Sequence, residues 1–116
     1  MSGKKCRKHK KSILQPNDGT CYICSELHSD YRMKQVQEHH IFYGSANRAV
    51  SEAEGFKVYL CPSHHQYAYD CNPEAIHGNP HYERSLDMWL KQTAQRRYEA
   101  THSREDFLRL IGKNYL

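Results

Sequence analysis

The sequence of 116 residues has no apolar run that approaches the length of a membrane-spanning helix. Its first residues are basic, but they lack the apolar segment that a secretory signal peptide carries. Internal repeats are absent too. A chain of this length matches one domain. We therefore expect a soluble, single-domain protein that neither spans nor binds a membrane.

The apolar fraction is low at 38%, so the hydrophobic core is modest, and a structural metal would offset part of that deficit. The chain has five cysteines, and an odd number leaves one thiol over in a framework built only of disulfides. Nine histidines, several at metal-ligand spacings, favour metal binding over disulfides. These features predict a reducing, intracellular compartment.

Acidic side chains are absent from residues 1–11, which carry six basic ones: Lys4, Lys5, Arg7, Lys8, Lys10 and Lys11. The rest of the chain has 11 basic and 13 acidic residues, so its net charge is slightly negative. Residues 1–16 also lack apolar periodicity. We predict a mobile basic arm over residues 1–16 that binds nucleic acid through its phosphates. A disordered solubilising tail is the alternative.

Two short spacings supply the ligands of one closed zinc site. Cys21 and Cys24 form a Cys-x-x-Cys, and Cys61 and His64 form a Cys-x-x-His. Together they give the four nitrogen and sulfur ligands of tetrahedral zinc. A Cys-x-x-Cys can also be a redox dithiol, but that function is typical of a thioredoxin-like βαβ context, which the sequence lacks. We predict structural Zn²⁺ here.

Three histidines remain close to these ligands. His39 and His40 are adjacent, and His65 directly follows His64. They are enough for a second, catalytic centre beside the zinc site. A zinc module without catalysis would leave these three side chains unexplained.

Periodicity and turn residues predict a mixture of helices and strands, hence an α+β fold. We expect a turn at 16–19, a connecting loop over 25–33, a strand over 34–43, helical turns over 47–54, a strand over 56–60, a helix over 62–70, a loop over 71–79, a helix over about 80–100 and a last helix from Ser103 to Gly112.

The order strand, His-His, loop, strand, Cys-x-x-His-His, helix, over about residues 20–70, resembles the HNH endonucleases, specifically their zinc-bearing subset. The unit that this family shares is a ββα-metal finger. The resemblance implies a nuclease domain over 17–116, with a ββα-metal core over about 34–71 and C-terminal helices over about 80–112.

The resemblance also implies roles for the histidines. In HNH proteins the first histidine of the pair binds the catalytic metal and the second activates water, which assigns these roles to His39 and His40. The opposite assignment stays open. The last histidine of the motif completes the metal site, and here it is His65. Cys21, Cys24, Cys61 and His64 match the family's structural zinc ligands, with His64 in place of the usual fourth cysteine.

The middle Asn of the family pattern has no clear counterpart. Asn47 is the only asparagine between the two histidine pairs, and it is therefore the candidate, with a helix N-cap as the alternative. His77 is a further candidate ligand or phosphate contact. The catalytic ion is Mg²⁺, Mn²⁺, Ni²⁺ or Zn²⁺, and imidazole ligands favour the later metals over Mg²⁺.

We therefore interpret the chain as a metal-dependent endonuclease that hydrolyses DNA phosphodiester bonds. Residues 80–116 resemble small phage-borne HNH proteins, some of them similar to nucleases that act with a RecA filament. That resemblance implies DNA and a recombinase filament as partners and the cytoplasm of a bacterial host as the location. The alternatives are a zinc-binding nucleic-acid module without catalysis and a phage recombination accessory protein.

Overall fold

The computed structural model describes residues 9–80 and 85–116, and only the backbone of Ser85. The elements in this part of the chain are α1 (Tyr22–His28), β1 (Gln37–His40), α2 (Ser45–Glu54), β2 (Lys57–Leu60), α3 (Pro62–His65), α4 (Tyr67–Asp70), α5 (Ser85–Glu99) and α6 (Arg104–Ile111). The strands form one two-stranded antiparallel sheet, which confirms the α+β class. Within these residues, every helix is too short or too polar to cross a bilayer.

The register of the sheet separates the two adjacent histidines. His39 pairs with Val58, and His40 pairs with Lys57. Because side chains alternate between the two faces of a strand, His39 and His40 point to opposite faces. His39 is only 1% exposed, whereas His40 is half-buried.

The first strand is shorter than the predicted 34–43, because the backbone of Phe42 hydrogen-bonds to a side chain of α2. The Phe42 N–H donates to Ser51 Oγ at 3.2 Å, and the same hydroxyl donates to the Phe42 carbonyl at 2.7 Å. The helix ends as predicted at Gly55, which has a φ of 77°. A Cβ at this position would also overlap the Lys11 carbonyl oxygen, so glycine is required here for two reasons.

The prediction of a loop over 25–33 is wrong for its first part. Cys21 is the N-cap of α1, and the helix continues to His28 before Ser29 ends it in the left-handed conformation. Ile23 is fully buried against the core, which explains why a helix is stable in this polar stretch.

The helix predicted over 62–70 is broken at Gln66, whose backbone is extended. The loop 71–79 folds back and pairs with the break: Ile76 N–H donates to His64 O at 2.9 Å, and His77 N–H donates to His65 O at 3.0 Å. Tyr67 N–H in turn donates to His77 O at 2.9 Å. These bonds replace the helical ladder and bring His77 beside His65.

The N-terminal segment packs on the domain from residue 10 onward. Lys10 N–H donates to Glu52 O at 3.1 Å, and Ile13 N–H donates to Gly55 O at 3.0 Å. Gln15 is buried, and its Oε1 accepts from Tyr59 N–H at 2.7 Å. The part of the predicted arm over residues 10–15 therefore runs along α2 and β2, and the arm residues 1–8 lie outside the described chain.

An aromatic cluster joins the sheet region to the C-terminal helices. The Phe42 ring lies 5.3 Å from Phe56 and 5.6 Å from Phe107, centroid to centroid. The last helix begins as predicted, because Ser103 Oγ accepts from Asp106 N–H at 3.0 Å. α5 is described from Ser85 onward, and residues 81–84, where the predicted helix would begin, lie outside the described chain.

Candidate metal centres

The four predicted zinc ligands form one buried cluster. Cys21 caps α1, Cys24 lies in its first turn, Cys61 follows β2, and His64 lies in α3. The Nδ1 atom of His64 is 3.6 Å from Cys21 Sγ, 3.3 Å from Cys24 Sγ and 3.5 Å from Cys61 Sγ. The sulfurs of Cys24 and Cys61 are 3.9 Å apart.

These distances are close to those around one tetrahedral ion. With Zn–S of about 2.3 Å and Zn–N of about 2.0 Å, sulfur and nitrogen ligands lie about 3.5 Å apart, and two sulfurs about 3.8 Å apart. Burial raises the pKa of the Cys21 thiol to about 12, so this cluster needs a cation to hold thiolates. The buried Cys₃His cluster could therefore hold a metal ion.

Polar side chains around the cluster orient its ligands. Glu74 Oε1 accepts from His64 Nε2 at 2.8 Å and from His28 Nε2 at 2.7 Å. Because the carboxylate accepts a hydrogen bond from the Nε2–H of His64, the Nδ1 lone pair is left to face the three sulfurs. Lys34 Nζ donates to Cys24 Sγ at 3.1 Å, which would stabilise a thiolate there.

A second cluster contains three histidines from separate parts of the chain. His39 comes from β1, His65 from the end of α3, and His77 from the loop that pairs with Gln66. The ring centroids of His39 and His65 are 5.4 Å apart, and the His77 centroid is 5.0 Å from each of them. One ligand atom from each ring lies within 4.8 Å of the others, so the group could hold an ion.

The protonation of the three rings suits metal binding. Burial lowers the pKa of His39 well below its usual value, with the neighbouring His77 and His65 as further causes. Burial also lowers the pKa of His65, helped by His77, and it lowers the pKa of His77. All three rings are therefore biased toward the neutral form, which is the form that binds metals.

Two polar atoms test the fit of an ion to this cluster. In the described part of the chain, His39 Nε2 is buried and has no hydrogen-bond partner, which a bound ion would remedy. Gln37 Oε1 lies 2.6 Å from His65 Nδ1. Because an amide oxygen only accepts, Nδ1 carries the proton and Nε2 keeps its lone pair for a ligand bond.

The three histidines open onto a cleft of about 270 Å³. Its lining residues are Glu38, His39, His40, Tyr43, Arg48, His65, Gln66 and His77. Arg48 is exposed, and among the described residues no carboxylate forms an ion pair with it. The cleft thus combines neutral imidazoles with an available guanidinium, which suits a phosphate.

α5 contributes a polar group beside this cleft. Asp87 is buried, and its Oδ2 accepts from Tyr43 Oη and from Lys91 Nζ, each at 2.9 Å. The negative charge of Asp87 raises the pKa of His77, which opposes the effect of burial. α5 therefore helps to set the electrostatics of the three-histidine cluster.

The other predicted site residues are distributed as follows. His40 lines the same cleft as His39, but its Nε2 lies 2.7 Å from Glu52 Oε1, on the other face of the strand. Asn47 is half-buried in the first turn of α2, and the described residues that line the cleft do not include it. Lys10 and Lys11 are exposed. Lys4, Lys5, Arg7 and Lys8 lie outside the described chain.

Sequence reasoning missed three residues of this region: Arg48, Glu52 and Glu74. Each stands in a polar stretch without a metal-ligand spacing, so no sequence signal singles it out. Their relevance comes only from the side chains that the fold brings next to them.

Comparisons with known proteins give no match: no protein-family model, no curated protein and no solved structure matches this chain. Function is therefore inferred from the geometry of the two clusters and the cleft.

Proposed function

We propose that this protein is a metal-dependent endonuclease of the HNH type, which hydrolyses DNA phosphodiester bonds. One observation supports it above all. Three histidines biased toward the neutral form, His39 buried and the other two half-buried, converge on a cleft that His40 and the exposed Arg48 also line. Buried polar atoms nearly always have a hydrogen-bond partner or a ligand. A bond to a metal ion best explains why the buried His39 Nε2 has no hydrogen-bond partner among the described residues.

The Cys₃His cluster takes structural Zn²⁺ in this proposal. The ligand types, their full burial and their mutual distances fit that ion. The antiparallel pair β1–β2 followed by α3, with ligands at the strand ends, supports a ββα-metal arrangement. The cluster ties α1 to β2 and α3, and it thereby fixes the position of His65 next to His64.

The second cluster takes the catalytic ion, with His39, His65 and His77 as ligands. A divalent ion held there would supply Lewis-acid stabilisation of the charge that develops on the phosphate and the leaving oxygen. His77, which the sequence offers only as a candidate ligand or phosphate contact, is the third ligand in this proposal. The imidazole set favours Mn²⁺, Ni²⁺ or Zn²⁺ over Mg²⁺.

His40 is the general base in this proposal. It lies next to the ligand His39 in the chain but on the other face of β1, so it can act on water without being bound to the ion. The exposed guanidinium of Arg48 lines the same cleft and is available to bind a phosphate oxygen. The basic residues at the N-terminus add affinity for DNA without sequence preference.

Nicking of supercoiled plasmid DNA tests the proposal. The full chain is assayed with Mg²⁺, Mn²⁺, Ni²⁺ and Zn²⁺ in turn, and with a chelator. We expect metal-dependent nicking that His39→Ala and His40→Ala each strongly reduce, while His102→Gln, which changes an exposed histidine outside the cleft, leaves it intact. Binding of DNA without nicking under every metal would favour the zinc-binding module without catalysis.

A further inference from the structure

Glu52 lies at the centre of a network that the proposed function does not use. Its Oε1 is 2.7 Å from His40 Nε2. Its Oε2 is 2.9 Å from His9 Nδ1 and 3.1 Å from Lys57 Nζ. The residue lies in α2, twelve positions beyond His40, so the helix rather than the strand brings the carboxylate to the imidazole.

The ionisation of Glu52 fixes the direction of its hydrogen bond to His40. The hydrogen bond from His40 lowers the pKa of Glu52 to about 2, and those from His9 and Lys57 act in the same direction. Near neutral pH the group is a carboxylate, which can only accept. The proton in this bond therefore belongs to His40 Nε2, and the lone pair of neutral His40 is on Nδ1.

Glu38, His40 and Glu52 have the ligand types of a metal site, but a lysine already bridges its two carboxylates. Lys57 Nζ lies 3.3 Å from Glu38 Oε2 and 3.1 Å from Glu52 Oε2, and its side chain is only 6% exposed. A divalent cation would have to displace this buried ammonium. The cluster is thus an ion-pair network in which Lys57 holds both carboxylates.

We propose that Glu52 is a positioning residue for His40, holding the imidazole through Nε2 so that Nδ1 is the atom that accepts a proton. This inference rests on the proposed function. Glu52 touches neither the phosphate nor the ion; it acts through His40, as outer carboxylates do on other functional histidines. Lys57, which lies on β2 opposite His40, holds Glu52 in place through its ion pair.

The proton transfer then has a defined course. An O–H bond of water breaks, and its proton passes to His40 Nδ1. The water oxygen forms a bond to phosphorus, and the bond from phosphorus to the leaving oxygen breaks. The leaving oxygen keeps the electron pair and takes a proton from solvent. Throughout, the Nε2 proton stays between His40 and Glu52.

Kinetics of Glu52 variants test this role in the full chain. We expect Glu52→Ala to lower kcat by about 10-fold to 100-fold or more, at least the loss typical when the outer partner of a metal-binding histidine is removed, with KM nearly unchanged. Glu52→Gln keeps an acceptor oxygen and should recover most of the rate. Glu54→Gln, on the same helix and without a hydrogen bond to His40 among the described residues, is the matched control.

An NMR measurement gives a readout that does not depend on cleavage. In ¹⁵N-labelled protein we expect a downfield His40 Nε2–H proton signal, protected from exchange with water by the carboxylate. It should persist in Glu54→Gln and disappear in Glu52→Ala.

Three results would overturn the inference: absence of that signal from the wild-type protein, full activity of Glu52→Ala, or weaker binding of Mn²⁺ by Glu52→Gln, which would make Glu52 a ligand. A wild-type chain that shows the signal but never nicks DNA would refute the proposed function and leave the hydrogen bond between Glu52 and His40 standing.

Discussion

Removal of the ion from the Cys₃His cluster is expected to unfold the domain. The ligands join three elements, α1, β2 and α3, which otherwise share only a modest core. Structural zinc in small domains contributes an apparent 10–16 kcal/mol, or about as much as the whole stability of a typical domain, roughly 5–15 kcal/mol. Loss of the ion therefore removes a stabilisation of the same size as the folding free energy.

Metal analysis and circular dichroism together measure this effect. Purified protein should contain one zinc per chain, and Cys61→Ser should lose both the zinc and the cooperative thermal transition. Cys71→Ser is the matched control, because Cys71 is exposed and lies outside the cluster. It should keep the zinc and lose little stability.

A strong chelator should have the same effect on the wild-type protein as Cys61→Ser has. Addition of Zn²⁺ to the chelated protein should restore the transition, because the ligands are intact. The reasoning is refuted if purified wild-type protein is folded, melts cooperatively and contains no zinc, or if the chelator strips the zinc without moving Tm.

Three further predictions concern the cleft and the basic residues. Deletion of residues 1–8 should flatten the log–log salt dependence of DNA binding by up to about 0.9 for each phosphate that this segment neutralises, and an unchanged slope would exclude it from the interface. Arg48→Ala should lower kcat/KM by about 10-fold or more, because it removes a charged hydrogen bond to the phosphate of roughly 1.5–3 kcal/mol. Arg96→Ala, which changes an exposed arginine on α5, should leave kcat/KM unchanged. Equal rates for the two variants would contradict the role of Arg48. His77→Ala should weaken Mn²⁺ binding, measured by calorimetry, and excess metal should restore part of the nicking; unchanged affinity would remove His77 from the ligand set.

The members of the Cys₃His cluster could be predicted from the sequence because their spacing is local. A Cys-x-x-Cys at the start of a helix and a Cys-x-x-His at the start of another place each pair on one side of the backbone, whatever the rest of the fold. The cap at Ser103 and the end of α2 at Gly55 are local in the same sense, and both were predicted correctly.

The three-histidine cluster could be predicted only in part, because it depends on contacts between distant residues. His77 joins His65 through backbone hydrogen bonds that break a helix at Gln66, and nothing in the residues 62–70 indicates that break. Glu52 meets His40 because α2 packs beside β1, and a polar helix does not show which of its glutamates faces the strand. The helix α1 was not predicted, because the residues after Cys24 are mostly polar and the burial of Ile23 stabilises the helix here.

The central claim is that His39 helps to hold a catalytic ion while His40 acts as the base. Nicking rates at saturating Mn²⁺, measured alongside Mn²⁺ affinity in the two alanine variants, test it most directly. We predict that His40→Ala binds Mn²⁺ as the wild type does but nicks about 10²–10⁴-fold more slowly, the usual loss on removal of a general base. His39→Ala should bind Mn²⁺ more weakly and recover partly at high metal concentration. Weakened binding in His40→Ala alone would reverse the two roles, and unimpaired nicking by both variants would contradict the account.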